Sequence, residues 1–273
     1  MSETAAKAAE TAPVLLREDE GGVARLTMNR PKQHNSLSEE LIRAMTAEFE
    51  AVAKDASVRV VVLGGAGPAF CAGHDLKELT AARAEADRGR AFFAQTMELC
   101  STLMQAIVNC PKPVIARVHG IATAAGCQLV ASCDLAVAVD EAKFATPGVN
   151  IGLFCSTPMV ALSRNVTRKH AMEMLLTGEM VSAARAREMG LVNRVVTAEA
   201  LDAEVTALAD LIASKSALTV SIGKKAFYEQ LEKPLADAYL YASEVMVRNM
   251  LARDAEEGIG AFIEKRDPKW EDR

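Results

Sequence analysis

Apolar positions change period repeatedly along this chain, and each change marks a new element. Pro13 to Glu18 and Val23 to Met28 read as strands around Glu20-Gly21-Gly22, the pattern of a β-hairpin. Asn29-Arg30-Pro31 breaks the second strand. Ser36 and Glu39 have the spacing of a capping box, and Leu41, Met45, Phe49 and Val52 then recur at helical spacing. Val58 to Leu63 reads as a buried strand, ended by Gly64-Gly65-Ala66-Gly67-Pro68. Thr80 to Asn109 is helical with an interruption near Gly89. Val114 to Val118 is a strand after Pro111-Lys112-Pro113, Cys127 to Ala131 a short helix, and Leu135 to Val139 another strand. Helices follow around Met159 to Arg164, Lys169 to Leu176 and Ala183 to Met189, with Gly190 as a C-cap and Val192 to Val196 as a short strand. From Ala198 onward the pattern is helical only, broken at Ser216 and Pro234.

This alternation is that of an α/β protein with a helical C-terminal segment. The reading divides the chain into a disordered tail over residues 1–12, a β/α body over 13–197 and a C-terminal helical region over 198–273. The tail, MSETAAKAAETA, is polar and Ala-rich and lacks the apolar centre of a secretory signal.

Composition narrows the classes. The chain has 273 residues, half of them apolar, and a net charge of −5, which suits a globular protein with a large core. Scattered basic residues, three Tyr and one Trp give no nucleic-acid footprint. No apolar run has the length of a membrane span. The six Cys show neither C-x-x-C nor a zinc spacing with His, so no metal site is expected. They read as reduced, mostly buried thiols, which points to a cytoplasmic location.

Two stretches carry candidate chemistry. His119 to Ala138, HGIATAAGCQLVASCDLAVA, enters a helix through small residues only. The free N–H groups and positive dipole end of such a helix favour a developing negative charge. Small residues at that point equally serve tight packing of a helix on a sheet. The second stretch, Gly67 to Leu79, GPAFCAGHDLKEL, has neither the dinucleotide spacing nor G-K-[ST], and no G-x-S-x-G elbow occurs in the chain. Ala72-Gly73-His74-Asp75 remains, a turn of small residues that exposes backbone N–H groups. Together the two loops have the makings of a two-donor oxyanion hole.

The sequence resembles the enoyl-CoA hydratase/isomerase, or crotonase, family. The resemblance rests on Asn29-Arg30-Pro31-Lys32 with Asn35, the A-G-x-D-L-K-E pattern of Ala72 to Glu78, and Pro111 to Ala116. It continues through Gly120, Ala124 to Leu129, Cys133-Asp134, Phe144, Gly152 and Leu191-Val192, and ends in Glu257-Gly258, Ala261-Phe262 and Glu264-Lys265-Arg266. The run Gly148 to Thr157, GVNIGLFCST, is similar to one subgroup. The resemblance implies a spiral of ββα units with a helical C-terminal trimerisation region, and a homotrimer or a hexamer made of two trimers. It implies an acyl-CoA ligand and no resident cofactor, coenzyme A arriving as part of the thioester.

Carried over by position, the backbone N–H groups of His74 and Ala125 hold the thioester oxygen. Lys32, Gln33 and His34 meet the adenine part, Ala72 to Leu76 (with Asp75) line the pantetheine path, and Lys77 approaches the phosphates. Phe262 and Lys265 cover the nucleotide of a neighbouring subunit. Read without the resemblance, Lys77 and Lys265 are solvated helix charges, Phe262 a core residue and Asp75 the stabiliser of its own turn. Cys127, at a helix N-terminus, has the position of a lowered thiol pKa, although a small core residue serves there equally. His34, His119 and His170 read as surface or packing residues.

The departures from the family decide the chemistry expected. The two hydratase glutamates fall on Gln128 and Gly148, and a third acid position falls on Ser156. A glutamine orients water but carries no exchangeable acid or base function, and glycine has no side chain. General acid–base groups each contribute about 10²- to 10⁴-fold. The expectation is a family member that is nominally a hydratase, a lyase, but lacks its proton carriers. Its alternatives are a non-catalytic acyl-CoA binder, or a divergent isomerase or thioesterase.

Overall fold

A hairpin starts the main sheet. In the computed structural model residues 12–273 are described, and the expected tail over 1–12 lies almost wholly outside them. Strands β1 (Leu15–Glu20) and β2 (Val23–Met28) pair antiparallel across Gly21 and Gly22. Both glycines have positive φ, 58° and 82°, as a two-residue turn between twisted strands requires. Helix α1 (Glu39–Lys54) follows. Its cap is Ser38, whose side chain accepts from the Leu41 amide at 3.3 Å. Ser36, the cap expected from spacing, is instead drawn to Asp75 at 3.3 Å.

The chain then winds in repeated units that feed two sheets. β3 (Val60–Gly65) joins the main sheet and β4 (Ala69–Cys71) the small one, before α2 (Leu76–Ala82) and α3 (Arg90–Asn109). β5 (Val114–Val118), β6 (Ile121–Thr123) and α4 (Ala125–Ser132) repeat the pattern. β7 (Leu135–Val139), β8 (Lys143–Ala145), α5 (Pro158–Asn165) and α6 (Arg168–Thr177) repeat it again. The short β9 (Val181–Ser182), α7 (Ala183–Met189) and β10 (Arg194–Val196) complete the body. The main sheet has the order β1-β2-β3-β5-β7-β10, parallel from β2 onward. The small sheet runs β4-β6-β8-β9.

Strands β3, β5 and β7 are almost wholly buried, as parallel strands with both faces covered are. Helix α8 (Leu201–Ala213) lies on β2, β3, β5 and β7, burying Leu201, Val205, Leu208 and Ala209 at helical spacing. It belongs to the body by packing, although the sequence reading groups it with the C-terminal helices.

Three helices follow, α9 (Ala217–Leu231), α10 (Leu235–Met250) and α11 (Arg253–Glu264). Lys224 pins α9 to the body. Its ammonium donates to the carbonyls of Ile107 and Lys112 and to Asp134 at 2.7 Å, while Tyr228 donates to the other Asp134 oxygen at 2.9 Å. All three ammonium protons are satisfied in a site where only 7% of the lysine side chain is exposed. No single helix among the described residues is long and apolar enough to cross a membrane.

Candidate active site

The two small-residue loops meet. Gly73 has φ of 95°, and a Cβ on it would stand 2.9 Å from the Ala124 Cβ and 3.4 Å from the Ala125 nitrogen. Glycine is required here both by its dihedral and by that approach. Gly126 is tighter still: a Cβ there would lie 2.0 Å from the Cys71 carbonyl oxygen, so the first turn of α4 packs directly on the end of β4. The small residues therefore serve close packing, and the same packing brings the amides together.

The loop before α1 fixes the other side. Leu37 pairs with His74 as a parallel bridge: the Leu37 amide donates to Gly73 at 2.7 Å and the Asp75 amide donates to Leu37 at 3.0 Å. Gly73 and Asp75 thus face Leu37, and the alternation of extended backbone turns the His74 N–H to the opposite side. That N–H meets no acceptor among the described residues, nor does the N–H of Ala125, the first residue of α4. Two unpaired donors on touching loops can hold an oxyanion.

Ala124 aims one of them. Its backbone stands at φ 51° and ψ −118°, the first central position of a type II′ turn. A side chain in that region costs about 1–3 kcal/mol. The cost is held by the Ala124 amide donating to Ala145 at 2.9 Å and by the approach of Gly73. Nothing in the composition of the loop signals this strain.

Arg30 and Asn35 brace the arrangement. Asn35 is fully buried, accepts from the Arg30 amide, and donates to Ala66 and Ala69 at 2.9 and 2.8 Å. Arg30 reaches Asp75 at 2.9 Å and also donates to the Ser36 carbonyl. Asp75 further accepts from the Lys77 amide at 3.0 Å as the cap of α2. The guanidinium and that amide hold its carboxyl below the ordinary carboxylate range despite its burial. The Asp75 side chain is therefore spent on its own turn.

Lys32, Gln33 and His34 are exposed on the loop that Asn35 anchors, His34 and Asn35 both with positive φ. Ala72 is half-buried, and its carbonyl accepts from Thr123 at 3.1 Å. Leu76 and Lys77 are exposed at the start of α2. Of these, His34 meets the Ala72 turn directly, its carbonyl accepting from the Ala72 amide at 3.0 Å. Phe262 lies on the last turn of α11 and Lys265 is the C-cap that ends it; the helix packs on α9 and α10. Phe262 is 85% exposed, so the core reading of that side chain does not hold.

Gln128 is buried on α4, one turn beyond Ala125, and its Oε1 lies 3.9 Å from the Cys100 thiol. Gly148 is packed from outside. A Cβ on it would meet the Leu153 carbonyl oxygen at 2.8 Å and the Cys155 sulfur at 2.9 Å. Its φ is not positive, so space and not dihedral excludes a side chain. Ser156 is exposed, with its hydroxyl turned to the Phe154 carbonyl at 3.3 Å. Burial pushes the Cys127 thiol up to about 12, which sets aside the activated-thiol reading. All six cysteines are free and buried. Among the described residues no group of His, Cys, Asp or Glu is placed to hold a metal. His74 Nε2 is buried without a partner, and burial lowers the imidazole to about 4.

The enoyl-CoA hydratase/isomerase family model matches residues 18–273. The chain belongs to that family. It is 47% identical over 249 residues to rat enoyl-CoA hydratase domain-containing protein 3, mitochondrial, an alignment covering 91% of this chain and 81% of that protein. The crystal structure of human enoyl coenzyme A hydratase domain-containing protein 3 superposes with a TM-score of 0.90 at 46% identity, covering 94% of this chain and all of that one. A crystal structure of an enoyl-CoA hydratase from Mycobacterium smegmatis gives a TM-score of 0.91 at 54% identity, covering 94% and 99%. The fold is thus the crotonase fold expected from the sequence, and the subgroup is that of domain-containing protein 3.

Two outcomes test this geometry. Ala124→Gly removes the strained side chain and should raise stability by about 1 kcal/mol after the entropic cost of glycine, a gain of roughly 2–4 °C in Tm. An unchanged or lower melt contradicts the strain. The second concerns His74, whose value is about 4 in the folded chain against 6.5 in the unfolded. Between these values the unfolded state binds the proton first, so stability is complete above pH about 6.5 and is lost as pH falls toward 4. Denaturant titrations should show a smaller loss across that window in His74→Gln than in the parent. Equal losses contradict a buried neutral imidazole.

Proposed function

We propose that this protein binds acyl-CoA thioesters and polarises the thioester carbonyl between the amides of His74 and Ala125, without proficient hydration. The observation that carries the reading is the pair of unpaired amides on touching loops, one aimed by the strained Ala124. Removing one such donor typically costs about 10²- to 10³-fold in enzymes that use them, so their retention speaks for a bound carbonyl. The exposed loop of Lys32 to His34 and the start of α2 at Leu76 and Lys77 give the nucleotide and pantetheine a place beside it.

Proton transfer is what the site lacks. Gln128 supplies an amide, Gly148 has no room for any side chain, and Ser156 has its hydroxyl turned to a neighbouring carbonyl. A reading as a divergent thioester enzyme has one observation in its favour, the unpartnered Nε2 of His74. With its value near 4, that nitrogen is a weak base at neutral pH, far from the range in which general bases work best.

The same reading includes self-assembly. Leu235, Leu240, Leu251 and Phe262 are between 69% and 85% exposed on and beside α10 and α11, an apolar surface that a homotrimer or hexamer covers. Six buried free thiols fit a reducing compartment. The animal relatives are named as mitochondrial, which speaks against the cytoplasmic expectation.

Hydration of a short enoyl-CoA tests the claim. We expect a wild-type kcat below about 0.1 s⁻¹, roughly 10²-fold under the typical enzyme value of about 10 s⁻¹. Gln128→Glu alone should recover little, because paired acid–base groups act as a unit. Gly148→Glu should lower the melting temperature, since its Cβ falls 2.8 Å from a backbone oxygen. Turnover near the typical value, or no measurable acyl-CoA binding by calorimetry, overturns the proposal.

A further inference from the structure

A cleft of about 870 Å³ opens one helical turn along α4 from the Ala125 amide. Its floor is Gln128, Ala131 and Ser132, which share one face of that helix. Three residues of helix advance about 4.5 Å. Gln128, one turn beyond Ala125, therefore joins the first turn of α4 to the floor of the cleft. The volume is within the range of small-molecule sites.

Helix α9 roofs this cleft with a polar face. Ser221, Lys224, Lys225, Tyr228, Glu229 and Glu232 all line it, at the spacing of a single helical stripe. The apolar residues of the same helix point elsewhere: Phe227 and Leu231 are 56% and 57% exposed. Burial of apolar surface alone favours the opposite rotation. The helix is held as it stands by Lys224 and Tyr228 on Asp134. The facing walls add Asn109 from α3 and Arg164 from α5.

The charges of the cleft leave one cation over. Lys224 is paired with Asp134, Arg164 with Glu232, and Glu229 with Lys233. Lys225 makes no direct ion pair or hydrogen bond among the described residues, its charge acting only at longer range on Glu229. A saturated tail laid along this face strips water from Lys225, Ser221 and Asn109 and returns no hydrogen bond. A terminal oxygen returns it, and a carboxylate returns it with opposite charge.

We propose that the acyl chain held in this cleft ends in an oxygen-bearing group, a carboxylate before a hydroxyl, with Lys225 as its main contact and Ser221 beside it. The proposal rests on the acyl-CoA reading of the site. Calorimetry on the full chain with octanoyl-CoA, 8-hydroxyoctanoyl-CoA and 7-carboxyheptanoyl-CoA tests it, the probes sharing one chain length. The carboxylated ester should bind about tenfold tighter than octanoyl-CoA, with the hydroxylated ester between them. Lys225→Met, an exposed position whose folding a thermal melt checks, should bring the carboxylate preference within about threefold, and raised salt should weaken it in the parent. Octanoyl-CoA binding as tightly as the carboxylated ester, or a preference unmoved by Lys225→Met, overturns the proposal and leaves acyl-CoA binding intact. Failure of all three esters to bind overturns the functional reading instead.

Discussion

The pairing of Leu37 with His74 is the contact on which the site depends. It commits the carbonyl of Gly73 and the amide of Asp75 to one side, and so leaves the amide of His74 to the other. The strand end it creates is pressed against the first turn of α4, where a Cβ on Gly126 would overlap the Cys71 carbonyl. Asn35 and Arg30 hold the other edge, the first through three hydrogen bonds in full burial and the second through Asp75. Backbone geometry of this kind survives side-chain change, because the proposed donors are amides. Side chains have no such protection, and Gln128, Gly148 and Ser156 bring no carboxylate to this region.

Gln128 puts an amide on a buried helix face, with the thiol of Cys100 near its oxygen. The loop carrying Leu153 and Cys155 lies against the Gly148 α-carbon and fills the space a side chain would need. Neither position offers a carboxylate, which fits the proposed holding of a thioester more than its hydration.

Much of the fold was legible in the pattern of apolar positions. β2, β5, β7 and α7 fall where periodicity places them, because buried strands and amphipathic helices leave a signal over five or more residues. The small sheet was not legible. β4, β6 and β8 have three residues each and β9 two, too few to show a period, and they are built largely from small residues that suit any tight packing. The two loops were legible as runs of small residues with free amides, and the resemblance named His74 and Ala125 as the oxyanion donors that the proposed function keeps. The strain at Ala124 was not, since alanine gives no warning of a glycine-like dihedral. Ser36 misled for a tertiary reason: its hydroxyl serves Asp75, thirty-nine residues away, and the cap falls to Ser38. The polar roof of α9 was likewise hidden, because a stripe of Ser, Lys, Tyr and Glu on a helix ordinarily faces water.

Under the proposed function, two backbone amides polarise a bound thioester in a site without acid–base groups. Infrared difference spectroscopy of a carbonyl-labelled acyl-CoA on the wild-type protein measures that polarisation directly. The thioester carbonyl stretch should move to lower frequency on binding, as two hydrogen bonds to one oxygen require, while the thioester stays intact over the measurement. A carbonyl band left at its aqueous position in a saturated complex would contradict it.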